Sequence, residues 1–105
     1  MPFTKKELIN LFTENDILDL PLLICSRNKD KNVVNLLHNI THNYVLLSIQ
    51  SPLQSTNPVK VFELIAFLTT LPDNISFYCE TSSGFMKEIE KIALMKQYKC
   101  VFYID

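Results

Sequence analysis

The sequence predicts one small α/β domain, residues 1–105, in which a mostly parallel four-stranded sheet carries helices on both faces. Segments of helical and strand character alternate in the order α-β-α-β-α-β-α-β, which is typical of crossover units and a parallel sheet. Three of the four strands are apolar on consecutive residues, as expected when helices cover both faces. A chain of 105 residues fits one domain with its own core.

Four helices are predicted from start signals and apolar spacing. The capping box Thr4-Lys5-Lys6-Glu7 begins the first helix, which runs to about Asn15. Apolar residues at helical spacing predict the second over 33–40. Asn57-Pro58 begins the third, with an N-cap residue followed by proline. The fourth follows Gly84 and buries a stripe formed by Phe85, Ile89, Ile92 and Ala93.

Four strands are predicted from short apolar runs bounded by turn residues. These runs cover residues 21–25, 44–49, 75–79 and 100–104. No internal repeat is visible in the sequence.

Charge and cysteine usage narrow the functional classes. The 10 basic and 11 acidic residues are evenly mixed, so no basic stripe indicates a nucleic-acid partner and no polybasic run indicates a membrane surface. The apolar stretch 61–71 is far shorter than the roughly 20 residues that span a bilayer. The three cysteines and the absence of a secretory leader predict reduced thiols and a soluble, cytoplasmic protein. High Asn, Ile and Lys usage is typical of an AT-rich bacterial or viral genome.

A candidate site lies where the strands end. In open parallel sheets, ligands usually bind beyond the carboxyl ends of the strands. Arg27, the chain's only arginine, follows the first strand and could hold an anion by two hydrogen bonds. Glu80, Ser82 and Ser83 follow the third strand. The alternative interpretation is that all four are ordinary loop and capping residues.

The segment Thr81-Ser82-Ser83-Gly84-Phe85-Met86-Lys87-Glu88 resembles the Ser-Gly pair, followed four residues later by glutamate, of nucleoside 2-deoxyribosyltransferase-like proteins. The resemblance covers about residues 75–104 and implies that Glu88 is a nucleophile. Arg27, Ser82, Ser83 and Gly84 would then bind the ligand, and Glu80 is the other candidate carboxylate. The chain has Glu90 where that family commonly has glycine.

Other catalytic patterns are missing. Gly84 is the only glycine, whereas phosphate-binding loops usually need several. Cys25 and Cys79 end apolar strands, where a cysteine is usually a small packed hydrophobic residue. His38 and His42 have a spacing that could place both on one helical face, but no third ligand is near. We therefore expect neither a metal nor a cofactor.

Three functional hypotheses follow. The first is a non-enzymatic protein-binding module, an inhibitor or immunity-type protein that binds another protein. Residues 84–105, a predicted helix leading into a terminal strand, resemble the barnase inhibitor family (barstar) in that pattern. The alternative is a small nucleoside- or nucleotide-binding protein or hydrolase that uses the strand-end loops. The third is a homodimer that pairs through strand 100–104, because a strand at a sheet edge exposes unpaired backbone groups.

Overall fold

The computed structural model describes residues 3–49, 57–95 and 98–105. Over these residues the chain forms two helices and eight strands. The helices are α1 (Lys5–Glu14) and α2 (Val61–Leu68). The strands are β1 (Leu22–Ser26), β2 (Lys29–Asn32), β3 (Asn35–Asn39), β4 (Tyr44–Ser48), β5 (Ser76–Glu80), β6 (Met86–Lys87), β7 (Lys91–Met95) and β8 (Lys99–Tyr103).

The strands form two mixed sheets that share one plan. The first has the order β2-β1-β8-β7 and the second the order β3-β4-β5-β6. In each sheet two antiparallel hairpins lie side by side, and their inner strands are parallel. Most pairings are antiparallel, and the described residues contain only two helices. The predicted parallel sheet with helices on both faces is therefore wrong.

The four predicted strands and the first helix are confirmed, whereas two of the predicted helices are wrong. The four predicted strands are present as the inner strands β1, β4, β5 and β8, and α1 begins at its predicted capping box. Because β8 pairs on both sides, the edge position expected of strand 100–104, on which the homodimer hypothesis depended, is wrong. The predicted second helix, 33–40, contains β3 instead, and the predicted fourth helix contains β6 and part of β7. Each of these two segments pairs with neighbouring inner strands. This pairing provides hydrogen-bond partners for backbone N–H and C=O groups of the inner strands that would otherwise have none. The third helix begins at Val61, later than Asn57-Pro58 predicted.

One core joins both helices and both sheets. Phe12 of α1 lies against Phe102 of β8, with ring centroids 6.2 Å apart. Leu64 of α2 and Phe77 of β5 belong to the same buried cluster. The two helices also contact each other. The fold therefore depends on apolar side chains from its first helix to its last strand.

The apolar residue on the outer face of β8 is buried although neither α1 nor α2 needs to cover that face. Val101 is fully buried, although it lies on the opposite face of β8 from Phe102. On that outer face the Lys91 ammonium lies 5.7 Å from the centroid of the Tyr103 ring. Lys99 Nζ reaches across β1 to Asp30 Oδ2 at 2.6 Å. Lysine stems can shield apolar surface while their charges remain in water, and Lys91 and Lys99 lie on the same face of the sheet as Val101.

The two sheets repeat the same order of strands and helix, and no repeat is visible in the sequence. The second sheet is built in the order edge strand, inner strand, α2, inner strand, edge strand. The first sheet has the same order when read from β7 and β8 to α1, β1 and β2. Within the residues described, no helix is both long and apolar enough to cross a membrane.

Candidate functional site

A cavity of about 460 Å³ opens between the two sheets. Its walls are formed by the carboxyl ends of β1 and β5, the edge strands β2 and β6, and Asp105, which lies two residues beyond β8. We call this cavity the cleft. It is lined by Ile24, Ser26, Arg27, Lys29, Lys31, Ile49, Glu80, Thr81, Ser82, Ser83, Phe85, Met86, Lys87 and Asp105.

Four cationic side chains line the cleft, and all four are exposed: Arg27, Lys29, Lys31 and Lys87. The ion pairs among the described residues are Lys5–Asp73 and Lys99–Asp30, so none of these four cations has one. Arg27, Lys29 and Lys31 lie within five residues of one another and Lys87 is distant in the sequence, so the even mixing of charge along the chain did not predict this cluster.

The β1–β2 hairpin turns two of these lysines toward the cleft. Lys29 pairs with Ser26 and Lys31 with Ile24, so both lysines share the core-directed face of Ile24. The connecting residues are Arg27 and Asn28, which have φ angles of 52° and 64°. Positive φ at both central residues is the requirement of the tight type I′ turn. That two-residue turn sets the register of the hairpin and therefore which β2 side chains face the cleft.

Each sheet ends in a similar carboxylate contact at the cleft. Glu80 Oε1 accepts hydrogen bonds from Ser48 Oγ at 3.0 Å and from the Ile49 backbone N–H at 3.2 Å. Asp105 accepts from Ser26 Oγ at 2.9 Å and from the Arg27 backbone N–H at 3.0 Å. In both cases a carboxylate ties the end of one inner strand to the serine and following amide of its parallel neighbour. These bonds hold the two strand ends beside the cleft in a fixed geometry.

The electrostatics of Asp105 follow from that contact. The Arg27 backbone N–H, and after it the Ser26 hydroxyl, lower the pKa of Asp105 below its ordinary value of 3.8. A carboxylate with a lowered pKa is a weak proton acceptor near neutral pH. Asp105 therefore suits a structural role at the cleft better than that of a general base.

The predicted helix start after β5 is a hairpin turn. Thr81 and Phe85 close it, since Phe85 N–H donates to Thr81 Oγ1 at 3.0 Å and Thr81 N–H donates to the Phe85 carbonyl at 2.7 Å. Gly84 has a φ of +87°, a conformation that favours glycine. The helical setting implied by the deoxyribosyltransferase resemblance is thus replaced by a turn, and the barstar-like helix over the same residues is absent.

Four residues that the sequence singled out line the cleft together: Arg27, Glu80, Ser82 and Ser83. Gly84 and Glu88 do not belong to its lining. Sequence reasoning missed the three lysines, Asp105 and Met86. It placed Phe85 in a buried helical stripe, with exposure at a binding surface as the alternative, and Phe85 is exposed. β2 is polar and exposed throughout, so it lacks the apolar–polar alternation that reveals a strand in a sequence.

The cysteines and histidines lie outside the cleft. All three cysteines are buried and free of disulfides. Burial raises the pKa of both Cys79 and Cys100 to about 12, which makes these thiols poor nucleophiles at neutral pH. His38 lies on β3 and His42 in the turn after it, rather than on one helix as their spacing allowed.

Comparison of the chain with protein-family models, with curated proteins and with solved structures finds no match in any of the three.

Proposed function

We propose that this protein is a non-enzymatic binding module that acts as an inhibitor or immunity-type protein, and that the cleft is its contact surface for another protein. The observation that carries this proposal is the set of four exposed cations at the cleft, which outnumber its two carboxylates. None of the four forms a direct ion pair among the described residues, although Asp105 attracts Lys87 and Arg27 at longer range. Unpaired charges on a surface steer an oppositely charged partner and define which partner fits.

Apolar side chains beside these cations supply a second part of a protein-binding surface. Phe85 is 70% exposed and Met86 is 45% exposed, and both line the cleft. Exposed aromatic residues, methionine and arginine are enriched in protein interfaces, where a few such anchors carry most of the binding energy. Arg27 is the third member of this group and lies on the facing sheet.

The titratable groups support binding rather than catalysis. Asp105, with its lowered pKa, is a weak base. The thiols of Cys79 and Cys100 are buried and have raised pKa values. A general acid or base needs a pKa near the working pH, and a thiol nucleophile needs a lowered one.

The test is capture of partners from a lysate of the source cells with the tagged protein, compared with the double variant Lys29→Glu/Lys31→Glu. Both lysines are exposed, so the variant is expected to keep the native circular dichroism spectrum. We expect it to retain about tenfold less of a stoichiometric partner, because two reversed charges at an interface cost more than about 1 kcal/mol.

Lys6→Glu is the matched control, since Lys6 is an exposed lysine of α1 outside the cleft. It is expected to retain the partner as the native protein does. Equal retention by the double variant, or a bound small molecule without any protein partner, would contradict the proposal.

A second candidate function is the binding of a nucleoside or nucleotide. Its supporting observation is the cavity of about 460 Å³, which falls within the range of roughly 300–1,000 Å³ typical of small-molecule sites. Arg27 would hold a phosphate group, and the hydroxyls of Ser82 and Ser83 would donate hydrogen bonds to the ligand. The Glu80 carboxylate would accept a hydrogen bond from a sugar or a base. Calorimetric titration with adenosine 5′-monophosphate tests this candidate: it requires saturable binding that Arg27→Ala weakens.

A further inference from the structure

We infer that the segment bound in the cleft is an extended acidic stretch of the partner protein, with carboxylates at alternate residues and an apolar residue between them. This inference rests on the proposed function and specifies the chemistry of the partner. It follows from the spacing of the cations, the position of the carboxylates and the exposure of Phe85 and Met86.

The spacing of the cations matches a strand-like ligand. Lys29 and Lys31 are two residues apart on one face of β2, so their Cα atoms lie about 6.7 Å apart. An extended peptide presents its side chains on one face with the same repeat. Two carboxylates at alternate positions of such a peptide can therefore each meet one lysine.

The cations do not form a cradle for a single compact anion. Lys29 and Lys31 belong to β2 in one sheet, and Lys87 belongs to β6 in the other. All three are exposed rather than buried, so they offer separate contacts along a path. Several monovalent charges spread along a chain fit this arrangement better than one phosphate group.

The carboxylates of the cleft reinforce this choice. Glu80 and Asp105 are both engaged with a serine hydroxyl and a backbone N–H of their own sheet. They repel any anion placed next to them, so an anionic ligand has to contact the lysines at a distance from these carboxylates, which an extended chain can do. The lining as a whole carries four cationic and two anionic side chains, an excess of two positive charges.

Phe85 and Met86 account for the apolar residue of the ligand. Both line the same cleft as the lysines, and Met86 directly precedes Lys87. An apolar side chain of the partner that covers them removes exposed hydrophobic surface from water, which stabilises the complex. A purely acidic segment would leave this surface uncovered.

The test uses synthetic peptides and the ¹⁵N-labelled full chain. The probe is the acetylated and amidated peptide Glu-Val-Glu-Phe-Glu, and the control is the same composition in blocks, Glu-Glu-Glu-Val-Phe. We expect the alternating peptide to shift the backbone amides of residues 29–31 and 85–87, and to bind at least about threefold more tightly than the block peptide. Raising NaCl from about 50 to about 300 mM should weaken its binding by about threefold or more.

Variants complete the experiment. Lys29→Glu/Lys31→Glu is expected to abolish the amide shifts, and Lys6→Glu to leave them unchanged. Equal binding of the two peptides, or shifts elsewhere in the chain, overturns the inference. Stronger binding of inorganic phosphate or adenosine 5′-monophosphate than of the peptide overturns it in favour of the small-ligand candidate.

The two proposals can fail separately. If the lysate partner depends on Lys29 and Lys31 but is not displaced by the alternating peptide, the inference about the segment is wrong and the proposed function stands. If the partner does not depend on these lysines at all, the proposed function itself is wrong.

Discussion

His38 carries a buried polar atom that the described part of the chain leaves without a hydrogen bond. Its Nε2 has no partner, and the residue lies opposite Val45 in the β3–β4 hairpin. Burying an unsatisfied donor or acceptor costs stability. We therefore expect His38→Leu to raise the free energy of unfolding by about 1 kcal/mol, measured by urea denaturation.

The matched control is His42→Leu, since His42 is exposed in the following turn. Its effect should stay within about 0.5 kcal/mol, as for most surface substitutions. Destabilisation by His38→Leu alone would show that the imidazole makes a contact the fold needs.

Two aspartates predict how stability depends on pH. The Lys99 ammonium lowers the pKa of Asp30, and the Arg27 backbone N–H lowers that of Asp105, both below the ordinary value of 3.8. A carboxylate whose pKa is lower in the folded state stabilises the fold above its unfolded pKa. This contribution is lost as the pH falls through the lower, folded pKa.

The free energy of unfolding is therefore expected to fall as the pH is lowered below about 4. In Asp30→Asn and Asp105→Asn this acid-side decrease should be smaller than in the native protein. Asp19→Asn is the control, because Asp19 is exposed and no hydrogen bond to it is seen within the described residues. An unchanged acid-side slope in both variants would argue against these two contacts. Urea denaturation between about pH 2.5 and pH 7 measures the free energy of unfolding of each protein.

Part of the candidate site could be predicted residue by residue. Arg27, Glu80 and the two serines were placed together because they follow inner strands, and the carboxyl ends of β1 and β5 do meet at the cleft. Lys29 and Lys31 were missed because their orientation depends on the turn at Arg27 and Asn28. Asparagine followed by glycine is the usual signal for that turn, whereas this chain has arginine in the first position and asparagine in the second.

Among the elements, α1 offers the cleanest test of local sequence signals. Thr4 Oγ1 accepts from the Glu7 N–H at 3.1 Å, and Glu7 Oε1 accepts from the Thr4 N–H at 3.3 Å. Loss of such an N-cap costs about 1 kcal/mol. Thr4→Ala should therefore lower the free energy of unfolding by about that amount in a urea titration.

Thr13→Ala is the comparison for the same helix. The Thr13 hydroxyl donates to the Ile9 carbonyl, which already belongs to the helical backbone, and alanine is the better helix former. We expect a change close to zero. Equal losses in both variants would mean that the capping bonds do not contribute specifically.

The strands show which elements a sequence can predict. The inner strands carry short continuous apolar runs because both of their faces are covered, and all four were located. The edge strands lack that signal, since β2 reads Lys-Asp-Lys-Asn and β6 has two residues. In β3 and β7 the apolar residues fall at intervals that also fit a helix, and only pairing with β4 and β8 decides between the two structures.

At the scale of the whole molecule, the first sheet joins the two ends of the chain. β1 pairs in parallel with β8, and the paired residues Leu22 and Cys100 are separated by about three quarters of the chain. A chain ending at residue 89 would lack β7 and β8, so β1 would keep only β2 as a neighbour and Phe12 would lose its contact with Phe102. We expect this truncated chain to lack a cooperative urea transition, as followed by circular dichroism.

Adding a synthetic peptide of residues 90–105 should restore native-like structure to the truncated chain. A cooperative transition in residues 1–89 alone would instead show that the second sheet and both helices fold independently. The strand order that creates this dependence could not be predicted, because no single segment encodes which distant segment it pairs with.

The β1–β2 turn has a consequence for the balance between stability and activity. Arg27 adopts a left-handed conformation that costs an ordinary side chain about 1 kcal/mol, yet it is the only arginine and lines the cleft. Asn28→Gly should stabilise the protein without changing its affinity for an acidic ligand. Arg27→Asn should stabilise it as well, because asparagine tolerates this conformation, but should weaken that affinity. If both changes behave alike in binding, Arg27 is a turn residue only; if they diverge, the chain retains a strained arginine because its partner requires it.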